Sequence, residues 1–137
     1  MMSDMKLAHL LYRSSGRIES FQTDCDDIIA IARQRNHALG LTGFLHAEDG
    51  VFLQWLEGPE DALNAVADSI LADPRHRDIT VFGQGPIELR QFPNWDMGYS
   101  KGEDAPLFEW LAEQDINSHD LRAFGLSLHR FLLLRVA

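Results

Sequence analysis

Three polar side chains stand where the surrounding pattern asks for apolar ones, and each has chemistry to offer. Gln54 interrupts the run Val51-Phe52-Leu53 and Trp55-Leu56, and on a strand it shares a face with Phe52 and Leu56. An amide in such a layer donates two hydrogen bonds and accepts others, so something polar must face it. Tyr12 ends an alternating apolar segment, where a buried phenol needs a partner for its hydroxyl. Asn36 raises the same demand beside the apolar stripe of a helix. On a helix and a sheet that face one another, the three frame a site for a planar polar ligand. Bonded only to backbone or to each other, they are ordinary satisfied core residues.

Other chemistry finds little support. No two of the six histidines are spaced i,i+3 or i,i+4, and a single cysteine, Cys25, makes no zinc site. The glycine-rich phosphate loops and the G-x-S-x-G nucleophile elbow are absent. Cys25 lies near a predicted helix start, which can lower a thiol pKa, but a small semi-buried residue is the simpler reading.

The elements that would position these groups follow from periodicity. Residues 6–12 alternate as a first strand, and a polar loop leads to a helix whose start is expected at Thr23, three residues before Asp26. Its expected stripe is Ile28, Ile31, Ala32 and Leu39, with Gly40 as a left-handed C-cap and Arg35 and Asn36 on or beside that stripe. Residues 41–46 and 51–57 form a hairpin across a turn ending in Asp49-Gly50. Gly58-Pro59 opens a second helix that turns Leu63, Val66, Ala67 and Ile70 inward and ends by Asp73, ahead of Pro74. Residues 79–82 and 95–99 are expected to be the last strands, with Gly83, Gly85, Pro86 and Pro93 punctuating the chain between them.

The order strand, helix, strand, strand, helix, strand, strand is that of an α+β domain with both helices on one face of a mixed sheet. The other face needs a cover. Leu107, Phe108, Trp110 and Leu111, then Leu121, Phe124, Leu128, Phe131 and Leu132, repeat at helical spacing, with Asn117 or Ser118 as a second cap. The expected division is therefore a core over 1–101 and a two-helix extension over 102–137.

Composition bounds the function. The 137 residues are 45% hydrophobic and 24% charged, a globular composition long enough for a core without staples. Twelve basic against twenty-one acidic side chains, with no basic block, leave no electrostatic footprint for nucleic acid. The apolar run 131–134 is flanked by Arg130 and Arg135 and falls far short of a membrane span. The first six residues lack a signal-peptide core, and the lone cysteine suits the cytoplasm.

Five motifs in order, Leu11-Tyr12-Arg13-Ser14, Asn36 with Leu41-Thr42-Gly43, Gly50 through Gly58, Asp73-Pro74-Arg75-His76 and Phe92 through Gly98, resemble the BLUF family of flavin-using blue-light sensors. The resemblance covers about residues 7–99 and implies a ferredoxin-like five-stranded mixed sheet with a flavin, FAD, between its two helices. It implies that Tyr12 donates an electron and a proton, and that Gln54 lies beside the reactive edge of the ring. It implies further that Asn36 bonds the pyrimidine edge and that Ile28 and Ile70 sandwich the ring. Ser14, Arg35, Asp73, Arg75 and His76 are the remaining candidate flavin contacts, and Trp95 and Met97 the candidates for relaying the change beyond Gln54. Arg35 and Ala32 depart from the residues more usual in the family. The implied output passes to a separate downstream signalling protein, since the 36 residues after the core are too few for a catalytic domain. The amphipathic tail can cover the free sheet face, pair two copies as a homodimer, or offer a groove to that partner. The competing readings are a small ferredoxin-like hydrolase using Arg75, His76 and a carboxylate, and a flavin-free interaction module.

Overall fold

The computed structural model describes residues 6–102, 107, 110 and 121–135. Five strands form one mixed sheet in the order β4-β1-β3-β2-β5. They are β1 (Leu7–Gly16), β2 (Thr42–Glu48), β3 (Val51–Pro59), β4 (His76–Ile87) and β5 (Gly98–Lys101). All neighbours run antiparallel except β2 and β5, which are parallel. Helices α1 (Phe21–Leu39) and α2 (Glu60–Leu71) cross one face, completing the two split β-α-β units of the ferredoxin-like arrangement. Helix α3 (Leu121–Arg135) covers the other face, as the tail periodicity predicts.

Side-chain alternation divides the sheet chemically. Leu10, Tyr12, Leu45, Phe52 and Leu56 point to the α1/α2 side and pack with Cys25, Ile29, Ala32, Leu63, Val66 and Ala67. Leu11, Phe44, Leu53 and Trp55 point the other way and pack with Phe92, Leu107, Leu128, Phe131 and Leu132. Leu107 and Trp110 are helical and join that second core, while Phe108, Leu111, Asn117 and Ser118 lie outside the described residues.

Several boundaries differ from expectation for identifiable reasons. Helix α1 begins at Phe21 rather than at Thr23, because a single 3-10 turn over Ile18–Ser20 runs straight into it. Its buried stripe is Cys25, Ile29, Ala32 and Asn36, and Ile31 and Leu39 are exposed. Strand β1 continues through the polar residues 13–16 because both neighbours pair with them, so backbone ladders hold what no hydrophobic pattern announced. Strand β4 absorbs Gly83, Gly85 and Pro86 since it is an edge, where proline is tolerated, and its register shifts against β1 beside Asp78, at φ 54°. Residues 95–97 precede β5 instead of belonging to it; Trp95 contributes a carbonyl to Gly43 N–H at 3.0 Å. The hairpin turn forms as expected, with Asp49 and Gly50 both at positive φ, 48° and 79°.

Two features fasten the tail side. Fully buried Glu57 accepts hydrogen bonds from Thr42 Oγ1, Trp55 Nε1 and the backbone N–H groups of Gln91 and Phe92, so one carboxylate ties β2, β3 and the loop after β4 together. Trp55 is also stacked between two imidazoles, with ring centroids 4.5 Å from His9 and 4.2 Å from His129 of α3.

The His129 Nε2 atom is buried without a hydrogen-bond partner. Burial pulls its imidazolium below the ordinary value of 6.5, helped by His9 and opposed by Glu57. A folded pKa below the unfolded one means that the unfolded state takes up the proton first, so this contribution to stability is complete above about pH 6.5 and fades as pH falls through the folded pKa. Thermal unfolding of the wild-type chain should therefore lose midpoint temperature below that pH faster than His129→Phe, which keeps the stack and has no proton to bind; parallel curves for the two would contradict this.

Candidate functional site

Strand register makes the central contact. Tyr12 of β1 lies directly opposite Gln54 of β3, and Leu45 of β2 opposes Gln54 from the other side. The Tyr12 hydroxyl donates to Gln54 Oε1 at 2.5 Å, both residues being buried. With its oxygen so engaged, the amide turns Nε2 toward Met97 Sδ, 3.7 Å away. Burial raises the phenol pKa well above its usual value, with the Arg35 charge opposing and the Asp73 charge reinforcing the shift. Tyr12 therefore carries its proton throughout the physiological range.

Above this pair a cleft opens between α1 and α2 and merges with solvent at its mouth. Ile28, Ile31 and Ala32 of α1 form one wall and Ile70 of α2 the other; Tyr12, Leu45, Phe52 and Gln54 form the floor. Arg35, Asp73, Arg75 and His76 supply the polar part of the lining. Asp73 and Arg75 grip one another with contacts as short as 2.5 Å, and that pairing holds the carboxyl below its ordinary range. His76 is fixed from both sides: Nε2 donates to the Ile70 carbonyl, and Nδ1 then accepts from Ser14 Oγ at 2.7 Å.

The expected site residues are thus partly assembled. Tyr12, Gln54, Ile28, Ile70, Arg35, Asp73, Arg75 and His76 all line the cleft. Asn36 and Ser14 do not. The buried Asn36 amide donates to the Asp96 carbonyl at 2.7 Å and accepts from Arg35, so it ties α1 to the segment before β5. Ser14 reaches the cleft only through His76. Of the two relay candidates, Met97 is buried at the Gln54 amide, whereas Trp95 is 44% exposed and packs edge-on against Phe44 of the opposite face. Arg33 adds a bond to the Met97 carbonyl at 3.1 Å. Sequence reasoning did not single out Leu45, Phe52 and Ile31 as lining; the period-2 alternation that sets Phe52 beside Gln54 was the available signal.

The family model described as "BLUF: Sensors of blue-light using FAD" matches residues 7–98. The chain belongs to the BLUF family. It is 34% identical over 122 residues to the photoactivated adenylate cyclase subunit beta of Euglena longa, a match covering 88% of this chain and 14% of the relative. It thus spans about a seventh of the length of that relative. The blue light- and temperature-regulated antirepressor BluF of Escherichia coli K12 is 36% identical over 53% of the chain and 18% of its own length. Among solved structures, the dark state of the BLUF protein BlrB superimposes with a TM-score of 0.78 at 32% identity, covering 96% of this chain and 98% of that one. The photo-activated state of BlsA gives 0.77 at 27% identity, covering 93% and 95%.

The cleft suits the BLUF chromophore. A flat heteroaromatic ring needs a slot with aliphatic walls and hydrogen-bonding groups along its rim, and Ile28, Ile31 and Ile70 with Gln54 and Arg35 supply both. Ile28→Glu should weaken flavin binding at least about tenfold, because a carboxylate on the wall is desolvated by any bound ring. Titration of apoprotein by flavin fluorescence measures this, with circular dichroism reporting the intact fold.

Proposed function

We propose that this BLUF protein is a blue-light photoreceptor that binds FAD, in which electron and proton transfer from Tyr12 rearranges the hydrogen bonds of Gln54 and the change is passed to a separate partner protein. The observation that carries the reading is the buried chain Tyr12 hydroxyl, Gln54 amide, Met97 thioether at the floor of the cleft.

When bound, the flavin supplies blue-light absorption and, in its excited state, the oxidising strength to draw an electron from a phenol. Everything else falls to the chain. Ile28 and Ile70 hold the ring between the helices, and Arg35, Asp73, Arg75 and His76 meet its polar parts. Asn36 and Ser14 act from one layer behind, the first fixing Arg35 and the Asp96 backbone, the second fixing His76. Tyr12 is a donor of both particles: its proton already lies in a short hydrogen bond to Gln54 Oε1, so loss of the electron is followed by movement of the proton along that bond. An amide can exchange its donor and acceptor ends by rotation or tautomerisation, and Gln54 has a strong partner on one side and a weakly accepting sulfur on the other. The new orientation would change which end of the Gln54 amide is offered to a flavin held in the cleft, and a stronger hydrogen bond to the ring would shift its absorption to the red. No covalent bond to the chain is formed, and the protein is not itself an enzyme.

In this reading the division at 101/102 separates sensor from output, and the BlrB and BlsA structures share the fold over nearly their whole lengths. The relatives that are adenylate cyclases show that BLUF domains also occur in far longer chains. No helix among the described residues is long and apolar enough to cross a membrane, which accords with a cytoplasmic sensor.

The test is the visible spectrum of dark-adapted protein before and immediately after blue light, with the released flavin identified by chromatography. A small red shift that relaxes in darkness is expected, with FAD as the chromophore. Tyr12→Phe and Gln54→Leu should keep bound flavin and lose the shift; normal shifts in both would defeat the mechanism. Colourless protein that hydrolyses esters would favour the hydrolase reading.

A further inference from the structure

Met97 and Tyr99 face the α1 side of the sheet, Met97 with its sulfur at Gln54. Gly98 and Ser100 face the tail: the Phe44 ring fills the space that a Cβ at Gly98 would need, and Ser100 Oγ lies 2.7 Å from His46 Nδ1. The chain from 97 to 100 thus starts in the switch and ends in a buried polar cluster on the far face.

His46 is the centre of that cluster, 1% exposed. Its Nε2 lies 2.9 Å from Glu48 Oε1, and the same oxygen accepts the backbone N–H of Leu107 at 2.6 Å. A carboxylate only accepts, so Nε2 carries a proton toward Glu48, and Nδ1 shares a hydrogen bond with the Ser100 hydroxyl. The imidazole also meets the Phe131 ring of α3 edge-on, with centroids 4.9 Å apart. The Glu48 stem lies over Gly102, in the space that a Cβ there would need. One side chain therefore touches β5 and α3 directly, and Leu107 through Glu48. None of these residues lines the cleft.

Strand β5 is the most lightly paired strand among the described residues. It is four residues long, lies at the sheet edge and pairs only with β2. A hydroxyl-to-imidazole bond of normal length is lost within about 1 Å of added separation, so a small slide of β5 is enough to change it.

We propose that His46 is a positioning residue that couples β5 to the tail: displacement of Met97 alters the Ser100 bond, and His46 transmits the change to Phe131 and, through Glu48, to Leu107. This rests on the light-driven rearrangement of Gln54 proposed above.

The experiment compares hydrogen exchange of residues 121–135 in the light and in the dark, on the flavin-loaded whole chain, with the absorption shift recorded in parallel. Ser100→Ala should keep the wild-type red shift while the light-minus-dark exchange difference around Phe131 falls at least fivefold. Ser100→Thr, which restores the hydroxyl, should recover it. Removal of a hydroxyl that merely stabilised the fold would raise exchange equally in both states and leave the difference intact. A wild-type difference in Ser100→Ala overturns the proposal, and so does a wild-type chain that red-shifts without any light-dependent exchange. If Ser100→Ala has lost its tail packing already in the dark, His46→Phe serves instead, since it keeps an edge-on ring against Phe131 without the Ser100 bond; a normal light response there overturns the coupling. A wild-type chain with bound flavin and no red shift fails at the spectrum, which marks the photoreceptor reading as the fault and removes this one with it.

Discussion

A buried amide between two strands has no freedom to choose its partners. Pairing of β1 with β3 puts Tyr12 opposite Gln54, and pairing of β2 with β3 puts an aliphatic residue, Leu45, on the other flank. The amide is buried, and left unmet it costs about 1–3 kcal/mol, so the Tyr12 hydroxyl and the Met97 sulfur hold the group from its two ends. The two ends are unequal. A phenol is a strong donor and a thioether a weak acceptor, so reversal of the amide sacrifices little on the nitrogen side. In the proposed mechanism a change at Tyr12 is what alters which orientation is preferred.

The same alternation that isolates this contact also supplies its audience. Strands β1, β2 and β3 carry cleft residues on one side and tail residues on the other, so that Gln54 and Trp55, adjacent in sequence, serve opposite layers. The tail layer is stiff where β2 and β3 meet, with Glu57 satisfying four donors from three chain segments. It is lighter at β5. Asn36 and Arg33 reach from α1 to the carbonyls of Asp96 and Met97, so the segment entering β5 hangs from the helix that lines the cleft as well as from the sheet. Movement of that segment is consequently shared between the wall of the cleft and the edge strand.

Much of this was legible in the residues. The element order, the hairpin at Asp49-Gly50, the Gly40 cap and the covering tail followed from periodicity and turn chemistry, and Tyr12 and Gln54 were visible as polar interruptions of apolar patterns. What escaped was set by tertiary partners. Residues 13–16 are polar yet form strand because two neighbours pair with them, and β4 tolerates glycine and proline because it is an edge. Ile31 carries a helical pattern but is exposed, since the cleft it borders is open to solvent. Asn36 was correctly marked as needing a partner, but nothing local could show that the partner is the Asp96 carbonyl, sixty residues away. His46 and Glu48 gave no signal, since alternating polar residues on a strand ordinarily read as a solvated face, and only the tail makes that face a buried one.

The magnitudes limit what a signal can do to the tail. Leu128, Phe131 and Leu132 of α3 are buried almost completely, and burying side chains of this kind is worth about 1.5–3 kcal/mol each. A hydrogen bond gained or lost within β5 is worth about 1 kcal/mol net. Apolar docking thus outweighs any single polar change several-fold, and release of α3 as a whole lies beyond the reach of the switch. Repositioning is within reach, because a ring edge sliding over His46 and a backbone N–H turning at Glu48 exchange contacts of comparable strength. In the proposed light response the tail contacts at His46 are the ones a small change at β5 can rearrange, while the stack of Trp55 between His9 and His129 holds the helix on the sheet.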